Sequence, residues 1–460
     1  MRRCFSLLFC CLLVFCAVFS GGCADRGTAY TQPVKLRIVT EKGVGQDGVS
    51  TENETMRRAI FRMTEEFTAA HPTVEFELEL LPEDQSERKP VLQRIRREME
   101  EGRGPDLFLL PAKTWGVESL FPDVNRSMHD GQFLDISAYY DEDAALEREG
   151  LNQTVIDGGC VGDARYALPL RYTVPLALGY APALKEQGID LADLSATTEA
   201  FFSALAKQGD SSFCPQLQST FLSAFPRFYD YERKQVVVEQ ERMEEFLRTY
   251  RDYLELSSHC ETHPVSNLLR HYDRGGAAVS EETPLVADTL GEITLEMAVV
   301  SKLRGDEMEM IPLNASDGAL VADVVYWGAV GASCEHPQEA YDFLIQFLSP
   351  EFQGDMSALD FTAFEGWPVR TKGFVPALWD SFRERYELPD AAKTVELTDG
   401  DFPILQAKIG SVRFETAWDE DLEMMLRREL TGMGADQTDT ERIARIAEEI
   451  FEELRLRVQE

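Results

Sequence analysis

Apolar residues along the chain recur with two periods, and the alternation between them names the elements. Val34, Leu36 and Ile38 alternate with Lys35 and Arg37, which predicts a first strand ending near Val39. From Glu54 to Ala70 the apolar positions Met56, Ile60, Met63, Phe67 and Ala70 step by four and three, one face of an amphipathic helix stopped by His71-Pro72. Val74, Phe76, Leu78 and Leu80 then alternate with Glu75, Glu77 and Glu79 as a second strand with an acidic outer face. Val91, Leu92, Ile95 and Met99 predict a second helix with Pro90 in its first turn. Leu107 to Leu110, between Gly104-Pro105 and Pro111, is a short continuous apolar run, the signature of a strand buried on both faces of a parallel sheet. This βαβαβ order predicts one layered α/β sheet, with function at the loop after the third strand, Ala112-Lys113-Thr114-Trp115, because open α/β sheets place ligands at the carboxyl ends of their strands.

Further on, Leu134 to Tyr140 opens a helical stretch. The strand-rich segment Tyr166 to Leu176 carries Pro169 and Pro175, which argues for an edge strand or a crossing between domains rather than a central strand. Pro182 to Gly209 and Ser211 to Gly276 are mostly helical, and Ala277-Ala278-Val279 is a short strand. Val324 to Val330 predicts another crossing strand, and Pro337 to Leu348 a helix with Ala340, Phe343, Leu344 and Phe347 inward. Thr438 and Glu441 have capping-box spacing ahead of a stripe of Ile443, Ile446, Ile450 and Leu454.

The length, 460 residues, exceeds what one hydrophobic core usually organises, so two domains are expected. The amino terminus reads as a targeting signal, with Arg2 and Arg3 ahead of an apolar run from Phe5 to Phe19 that is short for a membrane span. Ser20-Gly21-Gly22-Cys23 resembles the lipobox of bacterial lipoproteins, with Ser20 where an aliphatic residue is usual. That resemblance implies cleavage after residue 22, lipid on Cys23, and an extracytoplasmic, membrane-anchored chain. The formal charge of −36 becomes −38 once Arg2 and Arg3 are removed, which repels nucleic acid and anionic lipid as ligands of the folded body. Beyond the signal and Cys23, four cysteines are left: Cys160, Cys214, Cys260 and Cys334. Their irregular spacing is no disulfide framework, and both paired and buried free states stay open.

The later motifs resemble, in their order, the extracellular solute-binding proteins of family 1, the maltose-binding-like components of ABC importers. The residues that carry this are Ser333 to Leu344 running on to Ser349-Pro350-Glu351-Phe352-Gln353, preceded by Tyr326-Trp327-Gly328-Ala329-Val330. Gly104-Pro105-Asp106-Leu107, Tyr166-Ala167-Leu168-Pro169 and Gly366-Trp367-Pro368-Val369-Arg370 add to it. Cys334-Glu335 departs from the lysine usual there, and residues 209–238, where a second lobe would supply ligand contacts, match poorly. The resemblance implies an α/β, two-lobed periplasmic-binding-protein-like fold of type II with hinge-crossing segments. It divides the chain into a signal peptide (1–22), a lipid-anchor tether (23–33), the first part of lobe 1 (34–165), a crossing segment (166–181), the main part of lobe 2 (182–323), and a late crossing with the remainder of lobe 1 and the C-terminal helices (324–460). It further implies a monomer that captures a polar small molecule, a carbohydrate foremost, and delivers it to a membrane permease, with no cofactor and no enzymatic activity. Two other readings stand beside it, a surface lipoprotein that presents a ligand or partner to a sensor, and a secreted degradative enzyme.

A sugar cleft needs aromatic faces beside polar groups, so the candidate ligand contacts are Glu41 and Lys42 after the first strand and Lys113 and Trp115 after the third. Arg171 and Tyr172 on the crossing segment and Trp327, Trp367 and Arg370 from the late crossings complete the set. Each has a plainer alternative: tryptophans are more often core, and Glu41 with Lys42 makes an ordinary surface pair. His259, Cys260, His263 and His271 do not have zinc-site spacing and read as a polar helix end. No Gly-x-Ser-x-Gly, P-loop or His-Glu-x-x-His motif is present.

Overall fold

The computed structural model describes residues 33–42, 52–112, 114, 116–181, 185, 197–208, 228–258, 285–289, 292–305, 308–354, 366–370, 372, 374–385, 388–430 and 437–459. The opening β1 (Val34–Glu41), helix Glu52–Ala70, β2 (Val74–Leu81), helix Gln85–Glu100 and β3 (Leu107–Pro111) form the βαβαβ unit that the periodicity predicts. β1 pairs in parallel with β2 along its full length and with β3 through Ile38 and Val39. The second helix starts earlier than its apolar stripe suggests. Asp84 accepts from the amides of Ser86 and Glu87 at 2.9 and 3.0 Å, a cap worth about 1 kcal/mol, and this places Pro90 inside the helix rather than in its first turn.

The sheet is mixed, not all parallel. Two short hairpin strands, β4 (Cys160–Val161) and β5 (Ala164–Arg165), precede β6 (Leu168–Thr173), which runs directly into β7 (Pro175–Tyr180). A second small hairpin joins β8 (Tyr229–Asp230) to β9 (Gln235–Val236), and β10 (Leu285–Thr289) and β11 (Met308–Pro312) flank β7 in a three-stranded antiparallel sheet. β12 (Leu320–Val330), β13 (Trp367–Pro368) and β14 (Ile409–Phe414) complete the large sheet, whose order is β13-β6-β12-β3-β1-β2 with β14 also on β12.

β12 is the spine: all eleven residues are buried, Asp323 included. Its second half pairs antiparallel with β3, its first half pairs parallel with β14, and β6 runs antiparallel to its middle. β3 and β14 therefore point at each other and end on Val325 and Val324, where the amides of Ala112 and Glu415 bond the β12 carbonyls at 2.9 and 3.3 Å.

β6 and β7 are interior strands of two sheets, so the proline-bearing segment is central in both, against the expectation from its prolines, and passes directly from one sheet to the other. Pro169 sits opposite Trp327 where the β12 register shifts, a position that asks for no ladder amide, and Pro175 is the first residue of its strand.

The large sheet is sandwiched. On one face Phe67 of the first helix and Phe343 of helix Pro337–Leu344 meet edge to face at 5.5 Å, with Phe76 4.5 Å from Phe343. On the other, Phe121 packs at 4.9 Å from Phe108, 5.0 Å from Phe133 and 5.7 Å from Trp327. A second apolar core joins helices Thr198–Gln208 and Gln240–Ser258 to the C-terminal helices Ala417–Leu430 and Gln437–Gln459 through Phe202, Phe246, Tyr250, Leu422, Ile443 and Ile450. The apolar stripe of the tail thus packs on this second core.

Candidate functional site

Two adjoining hollows lie where the first core meets elements of the second. The larger, about 940 Å³, has a floor of Phe108 and Phe121, walls from Arg96, Glu118, Asp123 and Arg126, and a far side made by Tyr231, Leu456 and Arg457. The smaller, about 520 Å³, lies at the carboxyl end of β14 against Arg413, Thr416 and Asp419, with His129 and Asp157 on one side and Phe228, Asp230 and Glu232 on the other. Tyr231 lines both.

Local sequence fixes each of these groups. Asp123 caps helix Val124–His129, its Oδ1 accepting from the Arg126 amide at 3.1 Å, which leaves Oδ2 to receive the Tyr231 hydroxyl. Tyr231 sits in the β8–β9 turn, whose chain reversal is completed by Lys234 at φ 50°, and its ring lies 5.6 Å from that of His129. The hairpin rests on helix Gln437–Gln459. Arg457 of that helix accepts the Arg126 Nη1 at its carbonyl (3.3 Å) while its guanidinium lies 5.0 Å from the Trp418 ring. Contacts therefore cross the cleft at two places.

The charges lining the cleft are largely matched. Arg96 donates to Glu118 at 2.6 Å, and Arg457 to Glu453 at 3.0 Å. Arg413 is bound to Asp323; burial works against its charge, but the Asp323, Asp419 and Glu415 carboxylates outweigh that and hold it protonated. Asp419 and Thr416 cap each other at the start of helix Ala417–Leu430, with bonds of 2.8 and 3.2 Å. What this offers a ligand is aromatic surface, amide and hydroxyl groups, and carboxylates already held in place, a chemistry suited to a polar solute of modest charge.

None of the described residues singled out from sequence as ligand contacts lines either hollow. Lys113 and Trp115 lie outside the described residues, as do Cys23, Cys214, Cys260, the amino-terminal signal, the predicted strand Ala277-Ala278-Val279 and the cluster from His259 to His271. Lys42 is exposed at the end of β1. Glu41 does not pair with it. Its carboxylate is buried against the Arg88 guanidinium, and burial pushes it above the usual carboxylate range while Arg88 pulls it back. Trp327 is wholly buried among Phe121, Phe133 and Phe414, and Trp367 between Phe374 and Phe402. A stacking platform needs an open ring face, so both tryptophans are core residues.

Arg171 donates to the Gly366 carbonyl at 3.1 Å, tying the crossing strand to the turn before β13. Tyr172 is buried beside Asn152, and burial raises its hydroxyl to about 12. Arg370 reaches the carbonyls of Leu348 (2.9 Å) and Glu147 (3.2 Å) and pins that turn to the helical layer. Cys160 and Cys334 are free thiols.

Tyr231, Asp123 and Arg126 were not candidates from sequence. Tyr231 falls in residues 209–238, the stretch that departs from the family pattern, and a departure marks a region without saying which side chain matters. Among the described residues no group of three metal-ligating side chains occurs, and no helix is long and apolar enough to cross a membrane.

Neither the family models nor the curated proteins yield a match to this sequence. Solved structures do match in fold. An extracellular solute-binding protein family 1 member from Alicyclobacillus acidocaldarius superposes with a TM-score of 0.53 at 13% identity, over 94% of this chain and 100% of its own. The sugar-binding protein MalE from Xanthomonas citri gives 0.56 at 12% identity, over 93% and 100%. The galacto-N-biose/lacto-N-biose I-binding protein of an ABC transporter from Bifidobacterium longum, in complex with lacto-N-biose, gives 0.53 at 14% identity, over 92% and 98%. The architecture is thus an α/β fold similar to that of the two-lobed solute-binding proteins over almost its whole length.

Proposed function

We propose that this chain is an extracytoplasmic, lipid-anchored solute-binding protein that captures a carbohydrate between two bodies and delivers it to an ABC permease in the membrane. The observation that carries this reading is the cleft bridged by Tyr231. It is a hollow of ligand size, walled on one side by the layers of the large sheet and on the other by the second helical core, within a fold shared with sugar-binding proteins. Ligand contacts from both walls favour the arrangement in which the walls approach, so binding and closure are one equilibrium.

The domain division drawn from the sequence is part of this proposal, with the β6–β7 segment and β12 as crossings. Cys23 is the proposed lipid site, and the chain acts as a monomer without cofactor. Lys113 and Trp115, which follow β3 in the sequence, and Lys42, after β1, remain part of the proposed contact set. Presentation of a ligand to a membrane sensor uses the same cleft and differs only in the partner. A degradative activity is the third reading, for which the sequence carries no Gly-x-Ser-x-Gly, P-loop or His-Glu-x-x-His motif.

The test is a thermal-shift screen of the purified protein against neutral mono- and oligosaccharides, amino acids, peptides and divalent cations. A ligand that binds only the folded state raises the melting temperature by mass action. A saccharide that does so supports the reading; a response to another class alone replaces it.

A further inference from the structure

We infer that Arg413 is the pivot about which the two bodies turn, a cation fixed in the large sheet that holds the first turn of helix Ala417–Leu430 by charge while that helix changes its angle to the sheet. This rests on the solute-binding reading above, in which the two walls of the cleft approach each other. Three segments of the chain pass into or out of the large sheet at one row of residues. β6 ends at Thr173 and continues through Val174 into β7, β12 arrives from β11 with Asp323 as its fourth residue, and β14 has Arg413 as its last residue but one. Thr173, Asp323 and Arg413 stand side by side across the three strands, because Asp323 is in register with both of the others. The first two crossings are joined where the Leu313 amide donates to the Pro175 carbonyl at 3.0 Å. The third consists of Glu415 and Thr416 alone and leads into the helix whose Trp418, Leu422 and Leu426 lie in the second core.

Cross-strand partners in register share a face of the sheet, and here they form an ion pair whose side chains are only 3% and 11% exposed. That pair belongs to the sheet alone. Glu415 and Asp419, both buried, belong to the crossing and to the helix, and Asp419 lines the smaller hollow together with Arg413. Their carboxylates add to the field that keeps the guanidinium charged. Asp419 is fixed on its helix by the reciprocal bonds with Thr416, so it travels with the first turn. A hydrogen bond weakens steeply once its angle bends, whereas the attraction of opposite charges depends on distance and on no angle. A guanidinium bound to the sheet therefore holds Asp419 close through a range of helix angles. The two-residue link lets the helix turn, and the ionic contact keeps it from lifting away.

Pulsed electron resonance between nitroxides reads the distribution of distances between the two bodies and needs no ligand. The labels are carried on genetically encoded keto side chains at two exposed positions, Glu65 of helix Glu52–Ala70 and Glu241 of helix Gln240–Ser258. The inference expects Arg413→Gln to broaden the distribution relative to the parent. Arg413→Lys keeps the charge and gives up the planar fork of donors, so it should stay as narrow as the parent. Asp419→Asn keeps an acceptor for the Thr416 amide and leaves the Asp323 pair in place while removing the moving charge, so it should broaden the distribution as Arg413→Gln does. It carries the test by itself if Arg413→Gln does not fold. Parental widths in Arg413→Gln and Asp419→Asn, with only a lower melting temperature, would make this an ordinary structural ion pair and overturn the pivot. A distribution as broad in Arg413→Lys as in Arg413→Gln would assign the hold to directed hydrogen bonds and overturn it too. Because the readout uses no ligand, a parent that binds no saccharide overturns the carbohydrate reading and leaves the result on the pivot standing.

Discussion

Glu41 and Arg88 form a buried bidentate pair, Oε2 to Nη1 at 2.8 Å and Oε1 to Nη2 at 2.7 Å, which locks the end of β1 to the first turn of helix Gln85–Glu100, the helix after β2. Arg88 also donates to the Pro82 carbonyl at 2.9 Å, so the guanidinium organises the β2–helix turn as well. Removing one partner strands a charge in the interior. Glu41→Ala should cost about 3–5 kcal/mol of stability in urea denaturation, whereas the double change Glu41→Leu with Arg88→Met should be near neutral, within about 1 kcal/mol. A double change that costs the sum of the two single changes would show that the pair is not coupled.

Trp327 is expected to govern stability and not affinity. Trp327→Ala opens a cavity among Phe121, Phe133 and Phe414 and should destabilise by about 3–5 kcal/mol. The milder Trp327→Phe keeps the fold and should bind a saccharide hit from the screen with unchanged affinity. A selective loss of binding in the folded Phe variant would return Trp327 to the ligand site.

Cys334 should be inert in the native protein. Burial, with the Asp106 carboxylate beside it, pushes the thiol up to about 12, and the thiolate is the reactive form. At pH 8 iodoacetamide should leave Cys334 unmodified in the folded protein and label it on unfolding, as read by peptide mass spectrometry. Rapid native labelling at that peptide contradicts the placement.

Acid should weaken the fold in part through two carboxylates at helix starts. The Ser137 hydroxyl and amide, at 2.6 and 2.9 Å, hold Asp135 below its ordinary value, and Ser86 with the Glu87 amide does the same for Asp84. A depressed carboxyl contributes stability that is complete above its unfolded pKa of about 3.9 and is lost as pH falls through the lower folded value. Ser137→Ala and Ser86→Ala should each lower the melting temperature at pH 7 slightly and converge on the parent as the pH drops toward 3. A difference that is constant with pH would assign the loss to packing.

Sequence periodicity carried the first sheet well because β1, β2, β3 and their helices are contiguous and each buries one regular stripe. The mixed character of the sheet was not legible. Leu107 to Leu110 reads the same whether its far neighbour is parallel or, as with Trp327 and Leu110, antiparallel, and β12 arrives from more than two hundred residues away. The ligand contacts were less legible still. Aromatic and charged residues near strand ends attract attention, yet Arg370 and Arg171 each donate to a backbone carbonyl, and Trp367 fills the core. The cleft residues Asp123 and Tyr231 are 108 positions apart, and only the docking of the β8–β9 hairpin brings them together.

Hydrogen exchange of the intact protein with and without a saccharide hit tests the central claim most directly, because it reports where the solute binds. The account predicts slower exchange in three separated segments at once: helix Val124–His129, the β8–β9 hairpin and the end of helix Gln437–Gln459. Protection confined to the loops after β1 and β3, with those three segments unchanged, would place the solute elsewhere and contradict it.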